Sequence, residues 1–329
     1  MKKIILINSA IVISVIILLE ISVKILFDVQ VQGVSSNIIN EDSVYPRFNN
    51  KNISNGKVFG KEVFTNNDGY RTNKFLNKKN KNNIPEVYFI GGSVTFGMGV
   101  DQKDSFSGIL NHDNSSLSIF NSSTIGSNLE NNYYILKNKI KKNNLKNLFI
   151  NFSLDDIRST DLINFENTKH LEKNKGTLNA LKNITLFREI NKIIRNKSRT
   201  YVLFKNYFFN AKERYYVEAL NLYDEKKNLI NMKNYLDKIQ EINKKIENKI
   251  VFMIIPYSNQ ILQKNCKNYD KAETLIKNEL ERRNFKYINF KKEFCSVKNS
   301  QKYFLSFDPS HLSKNGHSLI AKIIKEKFL

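Results

Sequence analysis

Short apolar runs alternate with longer amphipathic segments along residues 86–329, and this alternation predicts the fold. The apolar runs have the length and the β-branched and aromatic content of buried strands, and they lie at 86–90, 117–120, 148–152, 250–255 and 287–290. Segments with a helical period separate or follow them near 104–111, 129–141, 269–283 and 315–328. Strands separated by helices favour a parallel sheet covered by helices on both faces. We therefore predict an α/β protein, a three-layer α/β/α sandwich around roughly five parallel strands.

Two parts of the chain do not follow this alternation. Between about 160 and 248 the pattern is helical and rich in lysine and aromatic residues, with the clearest helix at 232–248. This stretch predicts a helical insertion within the domain at 86–329. Residues 28–85 are mostly polar and are expected to form an extended connector and lead-in, with a turn signal at 66–71.

The N-terminus predicts a membrane anchor. Lys2 and Lys3 precede an apolar run at 4–19, whose sixteen residues would span about 24 Å as a helix. Extension to residue 27 brings the length to the ~30 Å of a bilayer core. Because no small-residue cleavage site follows, we favour an uncleaved anchor at 1–27 over a removed signal peptide. The two lysines predict a single-pass protein of the inner, cytoplasmic membrane with its large domain on the extracytoplasmic, periplasmic side.

The net charge of +22 raises the question of a nucleic-acid partner. Lysines heavily outnumber arginines and are spread along the chain, without the interleaved arginine and aromatic residues of a nucleic-acid groove. We expect a solvated lysine-rich surface and no nucleic acid. The two cysteines, Cys266 and Cys295, could form a disulfide in an exported domain or remain thiols. No metal-ligand spacing occurs, so neither a metal nor another cofactor is expected.

The candidate chemistry begins where the first of these strands ends. The apolar run at 86–90 stops at Gly91 and Gly92, Ser93 follows at once, and Gly97 comes four residues later. Such a sequence places Ser93 on a tight turn at the carboxyl edge of the sheet, where α/β folds bind their ligands. Ser93 is therefore the candidate nucleophile, and it requires a base.

Four histidines could supply that base. His112 and His170 lie in polar surroundings typical of surface residues, and His317 falls in the first turn of the last helix, where packing or capping is expected. His311 lies in the turn before that helix, three residues after Asp308. A carboxylate at this spacing can orient an imidazole and stabilise its charged form.

Together these motifs resemble the SGNH, or GDSL-type, hydrolase superfamily. Gly-Gly-Ser follows the first strand, and Asp-x-x-His precedes the final helix. Residues 119–126 match the family's glycine block after the second strand, and residues 66–71 look like the lead-in of membrane-anchored members. The resemblance covers about residues 60–160 and 250–329, and it implies a flavodoxin-like SGNH hydrolase fold.

The resemblance also implies roles for individual residues. Ser93 would be the nucleophile, His311 the general base and then the general acid, and Asp308 the group that orients His311. The backbone N–H groups of Ser93 and Gly126 would form two arms of the oxyanion hole.

The third family block differs in this chain. Asp155 stands where the family has an oxyanion-hole asparagine, and Ser153 stands where it has a glycine. An ionised carboxylate offers no hydrogen to an oxyanion. Three outcomes stay open for Asp155: it is protonated, a neighbour such as Asn151 or Ser153 donates instead, or catalysis is slow. Asp156 is expected to be a turn or helix-capping carboxylate. The first block differs as well, since Gly92 stands where the name-giving motif has aspartate.

The function implied by the resemblance is that of a serine esterase acting through an acyl-serine intermediate. Its expected substrate is an O-acyl group, such as acetyl, on an extracytoplasmic glycan or a small ester. An alternative is an O-acyltransferase to a cell-envelope polysaccharide, which would use the same residues. A second alternative, from another class, is a binding or assembly protein that keeps the fold with weakened catalysis.

Overall fold

The computed structural model describes residues 2–40, 46–73, 84–160, 185–262, 266, 270–297 and 299–329. His170 and the first part of the expected insertion, at 161–184, lie outside these residues. Eight strands form one sheet in the described chain: β1 (Gly56–Val58), β2 (Lys61–Thr65), β3 (Arg71–Thr72), β4 (Glu86–Ile90), β5 (Ser118–Asn121), β6 (Leu145–Asn151), β7 (Ile250–Ile254) and β8 (Lys286–Asn289). Their order across the sheet is β1-β2-β3-β5-β4-β6-β7-β8. The last five in this order pair in parallel, so the predicted parallel sheet is confirmed.

The described chain contains eleven α-helices. They are α1 (Lys2–Leu26), α2 (Ser93–Phe96), α3 (Phe106–Asp113), α4 (Leu129–Asn138), α5 (Thr185–Lys197), α6 (Arg199–Phe209), α7 (Ala211–Asn221), α8 (Lys226–Lys245), α9 (Lys271–Arg282), α10 (Lys291–Cys295) and α11 (Lys314–Phe328). On one face of β4, Tyr88 and Ile90 pack with apolar residues of α4, α8 and α9. On the other face, Val87 and Phe89 pack with residues of α3 and α11. Because both faces are covered, these strands read as continuous apolar runs.

The lead-in is not the extended connector expected for residues 28–85. Strands β1, β2 and β3 form an antiparallel extension of the sheet, which joins β5 through the pair Arg71 and Asn121. Buried side chains of this segment, including Ile38, Val58 and Val63, pack against Phe96 next to the Ser93 turn. The lead-in is thus part of the domain. The strands are only two to five residues long and carry polar residues on their outer face, so their pattern is weak in the sequence.

Helix α1 has the length and apolar composition of a membrane-spanning helix, and N-terminal signal sequences share these properties. Its last turns contact the helical insertion. Glu20 accepts hydrogen bonds from the Ser198 hydroxyl at 2.9 Å and from the backbone N–H groups of Arg199 and Thr200 at 2.7 and 3.1 Å. Since these groups begin α6, Glu20 caps that helix and joins it to the end of α1.

The described part of the insertion is helical, as predicted, and runs through α5, α6, α7 and α8 between β6 and β7. Of the two states considered for the cysteines, a disulfide or two thiols, the structure shows the disulfide. Cys266 and Cys295 form a disulfide with a Cα–Cα distance of 5.8 Å, which joins the segment after β7 to the end of α10. Both cysteines pack against the apolar cluster on the α11 face of the sheet.

Replacing both cysteines by serine should lower the free energy of unfolding by about 3 kcal/mol, because the bridge closes a loop of 29 residues in the unfolded chain. Urea unfolding of the full chain in detergent measures this change. The wild-type chain treated with a reductant is the matched control and should unfold at the midpoint of the double variant. Equal stability of oxidised wild type and variant would contradict a stabilising bridge.

Candidate active site

Ser93 begins the short helix α2 at the carboxyl end of β4. The turn before it needs a glycine, since a Cβ on Gly91 would lie 2.4 Å from the Thr95 hydroxyl oxygen. Gly97 ends the helix with a φ of +84°, a conformation that glycine adopts without strain. The glycines therefore fix a sharp strand-to-helix turn that presents Ser93 at the sheet edge.

The structure brings the three predicted residues Ser93, His311 and Asp308 together. The Nε2 atom of His311 lies 2.8 Å from the Ser93 Oγ atom. The Nδ1 atom of the same ring lies 2.9 Å from each carboxylate oxygen of Asp308. Asp308 Oδ1 also accepts the backbone N–H groups of Ser310 and His311, at 2.9 and 2.7 Å, which fix the carboxylate within the turn. Serine, imidazole and carboxylate form a continuous hydrogen-bonded chain.

The charges of this chain favour proton transfer from Ser93. Burial by itself would lower the pKa of His311, but the charge of Asp308 and, to a smaller extent, that of Asp155 raise it above its ordinary value. Burial by itself would raise the pKa of Asp308, but His311 and the two backbone N–H groups lower it. With Nδ1 donating to the ionised Asp308, Nε2 is left to accept the Ser93 proton.

A cavity of about 220 Å³ opens beside Ser93. Among the residues that line it are Gly126, Ser153, Asp155, Tyr215 and Tyr257. The backbone N–H groups of Ser93 and Gly126 donate to no other group in the described chain. Both are thus available to a ligand in the cavity, which is the arrangement that an oxyanion hole requires.

Asp155 accepts hydrogen bonds in this structure. The hydroxyl of Tyr257 donates to its Oδ1 at 2.5 Å, and that of Tyr215 donates to its Oδ2 at 3.4 Å. The negative charge of Asp155, followed by burial, raises the pKa of Tyr215, whereas burial is the larger cause for Tyr257. Asn151 does not line the cavity, and one hydrogen of its Nδ2 is donated to Ser153 Oγ at 3.0 Å.

Arg71 holds the end of the helix that begins at Ser93, a role that the sequence analysis did not predict. Its side chain is buried and donates to the carbonyl oxygens of Gly97 and Val100, both at 2.6 Å, and to that of Phe96. These carbonyls lie at and just beyond the end of α2, so a guanidinium ends the helix that carries Ser93. Burial lowers the pKa of Arg71 to about 10, so the side chain stays charged at neutral pH.

Phe59, in the lead-in, contacts the imidazole of His311. Phe59 and Gly60 are the two turn residues of the β1–β2 hairpin, with φ angles of +50° and +75° typical of a two-residue turn. The Phe59 ring lies edge-on to that of His311, with centroids 5.3 Å apart. An aromatic-glycine pair between two short strand-like runs is the signal that could have located this hairpin.

Helix α7 supplies a wall of the site, although the sequence indicated only an unassigned helical insertion. Tyr215 lines the cavity, and Lys212, one turn earlier, donates to the Gln301 side chain at 2.9 Å. Burial lowers the pKa of Lys212, and the charge of Asp308 partly opposes this shift. The insertion therefore reaches the cavity beside Ser93 and His311.

The other described histidines lie elsewhere. His317 is fully buried, accepts the Phe106 N–H at 3.3 Å through Nδ1, and has its pKa lowered to about 3, mainly by burial. It is a neutral packing residue, as predicted. His112 is exposed on α3. The described residues contain no group of three or more histidine, cysteine, aspartate or glutamate side chains placed to hold a metal ion.

No protein-family model and no curated protein matches the chain. Similar solved structures include a lipase/acylhydrolase from Enterococcus faecalis (11% identity, TM-score 0.40, 74% of this chain and 97% of that one). They also include the acetyl xylan esterase AlAXEase (10%, 0.43, 74% and 100%) and Axe2, an acetylxylan esterase from Geobacillus stearothermophilus (13%, 0.40, 74% and 95%). These neighbours are ester hydrolases. Likeness at this identity and TM-score does not by itself define an activity.

Replacing Asp155 by asparagine should lower the pKa of His311, because the Asp155 charge is one of the influences that raise it. Titration of 15N-labelled histidine side chains by NMR measures this pKa without reference to any reaction. Glu241→Gln, an exposed change on α8, is the matched control and should leave it unchanged. A His311 pKa that stays the same in Asp155→Asn would show that the two groups are not coupled.

Proposed function

We propose that this protein is an SGNH-type serine esterase that cleaves acyl esters through an acyl-serine intermediate. The observation that carries the proposal is the 2.8 Å contact between His311 Nε2 and Ser93 Oγ, with Asp308 on the other ring nitrogen. Nucleophile, base and orienting carboxylate at hydrogen-bond distances are the signature of activated serine nucleophiles.

The geometry supports the following sequence of steps. Ser93 Oγ attacks the ester carbonyl carbon while its proton moves to His311 Nε2, and the carbonyl oxygen becomes an oxyanion facing the N–H groups of Ser93 and Gly126. His311 then gives that proton to the leaving alkoxide oxygen, the C–O bond breaks, and an acyl-Ser93 ester remains. A water molecule repeats the steps: His311 takes its proton, its oxygen attacks the acyl carbon, and Ser93 regains the proton.

We place the substrate outside the cytoplasm. A disulfide is typical of exported proteins, and α1 has the properties of a membrane-spanning helix after two N-terminal lysines. In this proposal the domain faces the periplasm on a single inner-membrane anchor. A cavity of about 220 Å³ beside Ser93 suits a short acyl group such as acetyl. Glycans of the cell envelope carry such esters within reach of an anchored enzyme.

Tyr215 supports a sugar as the group that carries the ester. Its side chain is 39% exposed, lines the cavity and lies near the Tyr257 ring, with centroids 5.9 Å apart. A partly exposed aromatic face beside a carboxylate suits the apolar face and hydroxyl groups of a pyranose ring. The same wall could hold an acceptor sugar, so an O-acyltransferase is the second candidate.

A non-catalytic binding protein is the candidate from another class. Its support is Asp155, which accepts hydrogen bonds where the resembled family has a donor. The intact hydrogen-bonded chain of Ser93, His311 and Asp308 weighs against it.

Replacing Ser93 by alanine should reduce hydrolysis of a short-chain aryl ester at least about 10⁴-fold, because the acyl-enzyme cannot form. The full chain in detergent should also react with a fluorophosphonate at Ser93 alone. Ser116→Ala, an exposed change, is the matched control and should keep the wild-type rate. Equal rates for wild type and Ser93→Ala, with no labelling of Ser93, would contradict the enzyme hypothesis.

Replacing Tyr215 by alanine should raise KM for an acetylated glycan about tenfold, the value of one aromatic stacking contact, with a smaller effect on the aryl ester. Tyr207→Ala is the matched control, since Tyr207 is 78% exposed on α6. Equal effects on both substrates would show that Tyr215 does not recognise the sugar.

Adding an acceptor sugar to the acetylated glycan separates hydrolysis from acyl transfer: a hydrolase releases acetate, and a transferase acetylates the acceptor.

A further inference from the structure

Two adjacent carboxylates line the cavity, and their surroundings differ. Asp155 and Asp156 belong to the 3₁₀ turn Leu154–Ile157 that follows β6. Asp155 is partly exposed and accepts two tyrosine hydroxyls. Asp156 is only 4% exposed, and in the described chain its one hydrogen-bond donor is the Ser153 N–H, 2.9 Å from Oδ2. The two groups thus differ in solvation and in the number of donors.

This difference decides which of the two keeps a proton. Neighbouring carboxylates resist ionising together, and the charge goes to the better solvated one. Asp155 has two hydroxyl donors and contact with solvent, whereas Asp156 is buried with one backbone donor, so the proton is kept on Asp156. Burial, followed by the charge of Asp155, raises the pKa of Asp156 well above its ordinary value, and the Ser153 N–H only partly opposes this.

The other groups around Asp156 do not supply a compensating cation. Tyr223, in the turn after α7, and Tyr257, after β7, both have their pKa raised, mainly by burial, and stay neutral. From α8, the nearby Asn228 is uncharged and accepts the Ser159 N–H. Among the described residues no cationic side chain lowers the pKa of Asp156, and only the Ser153 N–H does so.

The second oxygen of Asp156 lies toward the nucleophile. Its Oδ1 is 3.9 Å from the point where a Cβ on Gly92 would stand, and Gly92 directly precedes Ser93. Oδ2 accepts the Ser153 N–H, which leaves Oδ1 as the oxygen that can carry a proton, and Asp156 lines the same cavity as Ser93.

We infer that Asp156 is held as a neutral carboxylic acid and donates a hydrogen bond from Oδ1 to the oxyanion formed at Ser93. It is then the third donor of the oxyanion hole, in place of the amide that Asp155 does not provide. The inference rests on the proposed esterase function. No proton is transferred: the Asp156 O–H bond stays intact, and its hydrogen bond strengthens as negative charge develops on the substrate oxygen.

The test compares Asp156→Asn and Asp156→Val with wild type in the full chain in detergent, using the pH profiles of kcat and kcat/KM for an aryl ester. Asp156 donates only while protonated, so wild-type activity should fall as pH rises through its raised pKa. An asparagine donates without titrating, so Asp156→Asn should move this alkaline limb upward by at least about one pH unit. Asp156→Val should lose about 100-fold in kcat with little change in KM.

Asp68→Asn, an exposed change outside the cavity, is the matched control and should keep the wild-type profile. An alkaline limb that does not move in Asp156→Asn overturns the inference, as does Asp156→Val with a kcat within threefold of wild type. Should Asp156→Val fail to fold by circular dichroism, the Asp156→Asn profile decides alone.

A second measurement uses infrared titration. The carbonyl band of a protonated carboxyl should disappear along the wild-type alkaline limb and be missing in Asp156→Asn, and its absence in wild type overturns the inference. The Ser93→Ala variant distinguishes failure of the esterase function from failure of the role assigned to Asp156. If it hydrolyses the ester as fast as wild type, the esterase function fails, whereas a true esterase with an unmoved limb fails only the assignment of Asp156.

Discussion

The hydrogen bond between Ser93 and His311 joins residues 218 positions apart. It depends on the sheet, which brings the two loops that carry these residues to the same edge. Ser93 follows the central strand β4, and His311 lies in the turn that leads into α11. Parallel strands bring their carboxyl ends to one edge of the sheet, so separate loops converge there without long excursions. A contact of 2.8 Å between such loops requires that each be fixed by its own local structure.

Those local constraints come from opposite sides. On the serine side, Arg71 places a buried charge against three backbone carbonyls and holds the end of α2. A buried guanidinium is costly unless its donors are satisfied, and here the carbonyls at the end of the helix accept from Nη1 and Nη2, while Nε has no hydrogen-bond partner in the described chain. On the histidine side, two backbone N–H groups hold Asp308, and Phe59 covers the ring. Since Arg71 and Phe59 both come from the lead-in, that segment helps to hold Ser93 and His311 in place.

The parallel strands and the three residues of the hydrogen-bonded chain could be predicted from the sequence. Strands buried on both faces leave continuous apolar runs, and Ser93 and the Asp308–His311 pair lie in short motifs within local turns. Strands β1 to β3 could not be predicted, because a strand of two to five residues is too short to show a clear alternation of polar and apolar positions. Tyr215, from the helical insertion, and Tyr257, after β7, approach Asp155 from different parts of the chain. No local sequence pattern predicts that these two residues meet. The disulfide likewise needed the Cα distance, since spacing alone left both states open.

Asp155 connects these features electrostatically. In the resembled family an amide at this position donates to the oxyanion, whereas Asp155 accepts hydrogen bonds from two tyrosine hydroxyls. The same charge acts on both of its titratable neighbours: it raises the pKa of His311, which makes the imidazole a stronger base toward Ser93, and it raises the pKa of Asp156. The carboxylate at position 155 therefore removes one donor and adds to the burial that keeps a proton on Asp156, which can act as another donor. The cost is a narrower pH range for catalysis, because His311 must be neutral while Asp156 remains protonated. Asp308 is the larger influence that raises the pKa of His311, and burial is the larger influence that raises the pKa of Asp156, while the charge of Asp155 adds to both.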